Sequence, residues 1–239
     1  MLAACASDPG GSASSAVVPV PPVADSEVRR VLALGDSYTI GEGVDEGERW
    51  PVVLAARLRE GGLRVAEPRI VARTGWTTDE LDGAVTAAAL TGPYDLVTLL
   101  IGVNDQYRGR VLDGYRTGFR GLLERAVGFA GGDARRAVVV SIPDWGATPF
   151  GRADERGAAQ IGREIDAFNA AAREIAVARG AAWVDVTGLS RVPGAALAPD
   201  GLHPGGPQYA AWAAVLLPAA RSALAVQEHR LHEAVRRNR

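Results

Sequence analysis

The sequence predicts an α/β fold of three layers, in which helices cover both faces of a five-stranded parallel sheet. Short segments rich in Val, Ile and Leu alternate along the chain with longer amphipathic segments, which is the pattern of strands joined by crossover helices. Runs such as LVTLLIG are apolar at successive positions, as expected of parallel strands that are buried on both faces.

Five segments are predicted to be strands, because each is rich in aliphatic residues and most end at Gly, Pro or Thr. Right-handed crossovers between them give an α/β/α sandwich. The predicted strands are 28–35, 63–73, 94–102, 136–143 and 181–188.

The helices are predicted from spacing and from end signals. Pro51 suits a first helical turn, where its missing amide hydrogen is not needed, and Thr77 or Thr78 can cap a following helix. Apolar residues recur at helical spacing in the longer segments. The predicted helices cover 51–60, 79–90, 113–130 and 153–179, and a last helix begins at Pro207.

Length and composition predict a single globular domain. The chain has 239 residues, of which 47% are hydrophobic and 23% charged, enough to bury a substantial core. We assign residues 28–227 to this domain, 1–27 to a flexible segment, and 228–239 to a polar, basic tail.

Several kinds of chemistry are excluded by what the sequence lacks. The net charge of −2 gives no reason to expect a nucleic acid partner. All 26 basic residues are Arg, so Lys-dependent pyridoxal phosphate and phosphate-loop sites are excluded. One Cys and three His do not make a Cys-rich zinc site. We therefore predict no cofactor and no metal.

The N-terminus resembles a bacterial lipoprotein signal. Leu2-Ala3-Ala4-Cys5 has the form of a lipobox, in which Cys5 would carry the lipid, and a Ser-, Gly- and Pro-rich segment follows it. Only Met1 precedes the motif, far less than the basic and apolar regions of a signal peptide. The expectation is a membrane tether through Cys5 and an extracytoplasmic location if the lipobox is real, and a cytoplasmic protein otherwise.

Polar residues that suit acyl transfer follow the predicted strands, where ligands bind in open parallel sheets. Ser37 follows the first strand and is the predicted nucleophile. His203, in the loop after the fifth strand, is the predicted base, because imidazole accepts protons near neutral pH. Asp200 lies three residues earlier and can fix the tautomer of that imidazole.

An oxyanion forms during acyl transfer and needs hydrogen-bond donors. The predicted donors are the backbone amides of Ser37 and Gly75 and the side-chain amide of Asn104. The neighbouring Asp36 and Asp105 are predicted to fix these loops by hydrogen bonds. Aromatic residues in the same loops are expected either to line a substrate pocket or to pack in the core or a lid: Tyr38, Trp76, Tyr107, Trp145 and Phe150.

Four sequence blocks resemble those of bacterial SGNH (GDSL-type) hydrolases. They are GDSYTIGEG (35–43), the segment around Gly75, GVND (102–105) and DGLHP (200–204), and the resemblance spans residues 30–225. It implies a flavodoxin-like SGNH hydrolase fold, Ser37 as nucleophile, Gly75 and Asn104 in the oxyanion hole, and Asp200 and His203 as acid and base.

The predicted function is hydrolysis of carboxylic esters through an acyl-serine intermediate, with a small-molecule, lipid or glycan ester as substrate. Two alternatives stay open on the sequence alone. An acyltransferase would use the same site with an alcohol in place of water. A surface-tethered binding module would keep the fold without the chemistry.

Overall fold

A computed structural model describes residues 28–237, with side chains described through residue 225. It contains a single five-stranded parallel sheet in the order β2-β1-β3-β4-β5. The strands are β1 (Val31–Gly35), β2 (Arg69–Ala72), β3 (Leu96–Leu100), β4 (Ala137–Val140) and β5 (Ala182–Val184). The predicted sheet is confirmed, and its strand order is the flavodoxin-like one.

Nine α-helices connect and flank these strands within the described part of the chain. They are α1 (Ser37–Ile40), α2 (Trp50–Glu60), α3 (Thr78–Ala87), α4 (Val103–Tyr107), α5 (Leu112–Phe129), α6 (Pro149–Arg152), α7 (Ala158–Arg179), α8 (Thr187–Ser190) and α9 (Gly206–Arg237). None of the described helices is both long enough and apolar enough to span a membrane.

Two helical layers enclose the sheet, as predicted. Helices α2 and α9 pack against each other, while α5 packs against α3 and α7, and the central strand β3 contacts both α5 and α9. All residues of β1 and β3 are buried, which explains why these strands are apolar at every position. The core is therefore continuous on both faces of the sheet.

End signals in the sequence fix where two of these helices begin. Pro51 is the second residue of α2, and Trp50 before it is fully buried. Thr77 caps α3 through a capping box, in which Glu80 accepts a hydrogen bond from the Thr77 backbone amide at 2.9 Å. Of the two predicted capping residues, Thr77 is therefore the one that caps α3.

The predicted helix over 153–179 is wrong at its beginning. Helix α7 starts at Ala158, because Gly157 adopts φ +74° and interrupts the helical backbone. Just before it, Arg156 and Asp154 form a local ion pair of 2.8 Å. The short helix α6 precedes this turn.

Two predicted segments fall partly or wholly outside the described residues. The segment 1–27, with Cys5 and its predicted lipid, lies outside them, so the tether and the location stay predictions. Helix α9 continues as backbone to Arg237, through most of the segment 228–239 that the sequence assigns to a polar tail. The side chains of that segment also lie outside the described part.

Candidate active site

The ends of three adjacent strands bring the predicted site residues to one edge of the sheet. Gly35, the last residue of β1, pairs with Ala72 of β2 and with Leu100 of β3. Because these three strands end level with one another, the loops that follow them begin side by side. In this strand order the edge between β1 and β3 is the topological switch point, where doubly wound sheets bind ligands.

Gly35 is required at the end of β1 because the backbone passes very close to its neighbours. A methyl group at this position would lie 2.2 Å from Thr39 Oγ1 and 2.5 Å from the Leu100 carbonyl. The tight turn places Ser37 at the first position of α1. A helix leaves its first amides without intrahelical acceptors, so the Ser37 N–H is free to serve an external oxygen.

Asp36 fixes this turn, as the sequence predicts. Its Oδ1 accepts a hydrogen bond of 3.0 Å from the Tyr38 amide, whereas its Oδ2 is buried and has no partner in the described structure. Burial raises the pKa of Asp36 to about 8, against the lowering effect of the Tyr38 amide. The carboxyl group next to Ser37 is therefore protonated at neutral pH, because its charge would be buried without compensation.

Asp200 holds both the loop and the ring of His203. One carboxylate oxygen, Oδ1, accepts hydrogen bonds of 2.9 Å from the backbone amides of Leu202 and His203. The other, Oδ2, lies 2.6 Å from His203 Nδ1. This contact assigns the ring proton to Nδ1 and leaves Nε2 as the nitrogen that accepts a proton.

Opposing effects act on the pKa of Asp200. Burial tends to raise it, but the hydrogen bonds from the His203 ring and from the Leu202 and His203 amides outweigh burial and lower it below its usual value. The carboxylate is thus ionised and can stabilise an imidazolium. The Tyr38 ring supports the imidazole from the side, with a centroid distance of 5.4 Å.

Gly75, in the turn after β2, and Asn104, the second residue of α4, line the same cavity. Gly75 has a φ of +86°, a left-handed conformation that glycine adopts without steric cost. Asn104 donates one hydrogen bond of 2.9 Å from Nδ2 to the Trp76 carbonyl. A carboxamide nitrogen carries two hydrogens, so the second remains available to a ligand.

Asp105 ties the Asn104 loop to α3, which confirms its predicted role. Its Oδ2 accepts from the Thr78 amide at 3.0 Å and its Oδ1 from the Thr78 hydroxyl at 2.9 Å. Burial raises the pKa of Asp105, although the two hydrogen bonds from Thr78 oppose that effect. The bonds from Thr78 join the second and third strand-end loops.

A cavity of about 210 Å³ opens where these loops meet. Four of the five predicted site residues line it, and Asp200 stands behind His203. Most of the remaining lining is apolar or aromatic. The cavity is lined by Ser37, Tyr38, Thr74, Gly75, Val103, Asn104, Tyr107, Trp145, Phe150, Leu202 and His203.

The aromatic candidates divide between the cavity and the core. Tyr107, Trp145 and Phe150 form one wall, in which the Trp145 ring lies 5.4 Å from Tyr107 and 6.0 Å from Phe150. Tyr38 also lines the cavity. Trp76 instead packs against the hydrophobic core.

Sequence reasoning missed the polar residues that hold this aromatic wall. Trp145 Nε1 donates to Gln106 Oε1 at 2.8 Å, and Gln106 Nε2 donates to Glu164 at 2.6 Å. The Arg156 guanidinium lies 4.9 Å from the Trp145 ring centroid. The position of Gln106 next to the GVND block was the one available signal, because the other partners are distant in sequence.

A sequence model of the GDSL-like lipase/acylhydrolase family matches residues 33–211. The chain belongs to this family. The match covers most of the chain and includes every residue that lines the cavity. A GDSL-family protein is a hydrolase of the esterase and lipase type.

Solved structures of GDSL-family and related hydrolases share the fold. The TesA structure aligns with a TM-score of 0.64 at 20% identity and covers 82% of this chain and 100% of its own. The lipase/acylhydrolase from Enterococcus faecalis aligns at 0.61 and 22% identity, covering 80% and 94%. The psychrotrophic esterase EstA from Pseudoalteromonas sp. aligns at 0.63 and 16% identity, covering 82% and 98%. No curated protein matches the chain.

The protonated state of Asp36 predicts a specific pH dependence of stability. Between about pH 4 and 8 the folded state holds a proton on Asp36 that the unfolded chain releases. The free energy of unfolding therefore falls as pH rises through this window, by at most about 1.4 kcal/mol per pH unit from this group. The Asp36→Asn variant keeps a side-chain oxygen that can accept the hydrogen bond from the Tyr38 amide, but its side chain does not titrate between pH 4 and 8.

Urea unfolding of wild type and Asp36→Asn at pH 5, 6.5 and 8 measures the effect. We expect the difference in unfolding free energy to shift steadily in favour of the variant as the pH rises. Other ionisable groups are common to both proteins and cancel in this difference. Parallel stability curves would contradict a buried, protonated Asp36.

Proposed function

We propose that the protein hydrolyses carboxylic esters through an acyl-enzyme intermediate on Ser37. The observation that carries the proposal is the cavity itself, around which Ser37, Gly75, Asn104 and His203 converge. A hydroxyl, an oriented imidazole and amide donors around one apolar space are the groups that acyl transfer requires.

In the first half of the reaction, Ser37 Oγ attacks the ester carbonyl carbon while His203 Nε2 takes the hydroxyl proton. The carbonyl oxygen becomes an oxyanion, which accepts hydrogen bonds from the Ser37 and Gly75 amides and from Asn104 Nδ2. The carbon–oxygen bond to the alcohol then breaks, and His203 returns the proton to the leaving alkoxide.

In the second half, a water molecule attacks the acyl-Ser37 carbonyl, and His203 accepts one of its protons. Collapse of this second oxyanion releases the carboxylic acid and returns the proton to Ser37 Oγ. The ionised Asp200 carboxylate stabilises the imidazolium that forms in both halves, and its 2.6 Å contact with Nδ1 supports that role.

The apolar wall supports an uncharged acyl group as the part of the substrate that enters the cavity. Tyr107 and Phe150 are each nearly half exposed at its rim, with 47% and 44% of their surface accessible, while Trp145 is buried. Contact with these rings favours an alkyl or aryl acyl chain through burial of apolar surface. The alcohol part of the ester would extend through the open side of the cavity.

Replacement of the nucleophile gives the direct test. Ser37→Ala should lower hydrolysis of p-nitrophenyl acetate by a factor of about 10⁴ or more, and it should abolish covalent labelling by a fluorophosphonate, while circular dichroism shows an unchanged fold. The neighbouring structure of EstA is described as inhibited by monoethylphosphonate, which makes phosphonates suitable probes.

A matched control for this test is Ser222→Ala, because Ser222 is exposed on α9 and does not line the cavity. It should keep both activity and labelling. Full activity of Ser37→Ala, or labelling of another residue in peptide mass spectra, would refute the nucleophile. Transfer of the acyl group to an added alcohol in preference to water would identify the acyltransferase alternative.

The cavity volume predicts the acyl length that the enzyme prefers. About 210 Å³ holds on the order of seven groups of the size of a water molecule, so a chain of about six carbons should fill it. Each methylene buried in the cavity contributes about 0.8 kcal/mol, or about fourfold in kcat/KM. We expect kcat/KM to rise from acetyl to about hexanoyl p-nitrophenyl esters and then to level off or fall.

Removing an aromatic side chain from the rim of the cavity should increase the acyl length at which kcat/KM stops rising. Phe150→Ala should raise kcat/KM for the octanoyl ester relative to the butanoyl ester several-fold. Val177→Ala, an exposed position on α7 outside the cavity, should not change the ratio. A continuous rise to dodecanoyl esters in wild type, with no break, would show that this cavity does not bind the acyl chain.

A further inference from the structure

Arg108 reaches from the end of α4 to the loop that carries Gly75. Its Nη2 donates a hydrogen bond of 2.7 Å to the Gly75 carbonyl, and its Nη1 donates to Glu80 at 3.2 Å. The side chain is 44% exposed and does not line the cavity. Arg108 therefore acts on Gly75 from outside the site.

The turn at Gly75 is closed by a long backbone hydrogen bond of 3.3 Å from the Trp76 amide to the Arg73 carbonyl. Gly75 has the widest conformational freedom of any residue type, and its φ of +86° sets the direction of the amide that faces the cavity. Two consecutive carbonyls are held from the third strand-end segment: Arg108 holds that of Gly75, and Asn104 holds that of Trp76 at 2.9 Å.

Glu80 holds Arg108 in place from the other side. The carboxylate of Glu80 accepts from the Thr77 amide at the beginning of α3 as well as from Arg108. The guanidinium is thus fixed between the rigid end of a helix and the Gly75 carbonyl. A hydrogen bond from a charged donor is shorter and stronger than a neutral one, as the 2.7 Å distance illustrates.

We propose that Arg108 is a positioning residue: by holding the Gly75 carbonyl it fixes the turn that directs the Gly75 amide, in the preceding peptide unit, toward the oxyanion. The inference rests on the proposed function, in which the Gly75 amide binds that oxyanion. Donors of this kind act in the transition state only when they are fixed in advance. Loss of Arg108 would leave the peptide unit between Gly75 and Trp76 without its shortest hydrogen bond and let the turn shift the Gly75 amide, lowering kcat without removing any contact to the bound ester.

A purely stabilising ion pair would behave differently. Exposed ion pairs contribute little to stability, and a variant that only loosened the surface would leave kcat and KM unchanged. Arg125 offers a matched control, because it also bridges to α3, where it pairs with Asp82, and its described hydrogen bonds go only to Asp82 and Thr86.

The experiment compares Arg108→Met with Arg125→Met in the full chain, using a short acyl p-nitrophenyl ester. We expect Arg108→Met to lower kcat about tenfold or more, with KM within about twofold of wild type. Arg125→Met should keep kcat within about twofold. Arg108→Lys, which can return a charged donor to the Gly75 carbonyl without the second bond to Glu80, should fall between wild type and Arg108→Met.

A second readout does not depend on turnover. In ¹⁵N–¹H spectra of the free protein, Arg108→Met should shift the Gly75 amide resonance and speed its exchange with solvent, whereas Arg125→Met should leave it in place. Equal kcat values for the two Met variants, or an unchanged Gly75 resonance in Arg108→Met, would overturn the inference. If wild type hydrolysed no ester, the proposed function would fail, and the Gly75 resonance would still decide whether Arg108 holds the loop.

Discussion

The level pairing of β1 with β2 and β3 is the constraint on which the site depends. Gly35 pairs with both Ala72 and Leu100, so the chain leaves all three strands at the same height. A shift of one residue in a strand turns its side chains to the opposite face. Because β1 and β3 are closely packed along both faces, such a shift would exchange side chains between the two faces and disrupt the packing of each. The hydrophobic core therefore fixes the relative positions of Ser37, Gly75 and Asn104.

Buried polar groups convert this backbone framework into a rigid site. Asp36 fixes the turn at Ser37, and Asp105 ties the Asn104 segment to α3. Both carboxyl groups have raised pKa values because burial disfavours their charge. Asp200 differs, since its hydrogen bonds to His203 and two amides lower its pKa. One edge of the sheet thus holds a neutral acid beside the predicted nucleophile and an ionised acid beside the predicted base.

Much of this arrangement is predictable from the sequence, since it follows from local rules. Strand ends in a parallel sheet share one edge, so Ser37, Asn104 and His203 could be brought together before any coordinates were known. The cap of α3 at Thr77 and the position of Pro51 in the first turn of α2 are also local in origin. Both depend only on residues within about one helical turn.

Long-range side-chain contacts could not be predicted in this way. Arg108 meets Gly75 across 33 positions and Trp145 meets Gln106 across 39, and no spacing rule connects such pairs. The start of α7 was misplaced because the segment before Gly157 has helical composition but ends in a left-handed residue. Whether Trp76 lines the cavity or packs in the core likewise depends on how the finished loops pack.

A crystal structure of the protein after reaction with a phosphonate ester would show which side chain carries the reacting group. We expect phosphorus bonded to Ser37 Oγ, with its unesterified oxygen about 3 Å from the Ser37 and Gly75 amides and from Asn104 Nδ2. We also expect His203 Nε2 within hydrogen-bonding distance of an ester oxygen on phosphorus. Phosphorus on another side chain, or an oxygen turned away from Gly75 and Asn104 into solvent, would contradict the proposed mechanism.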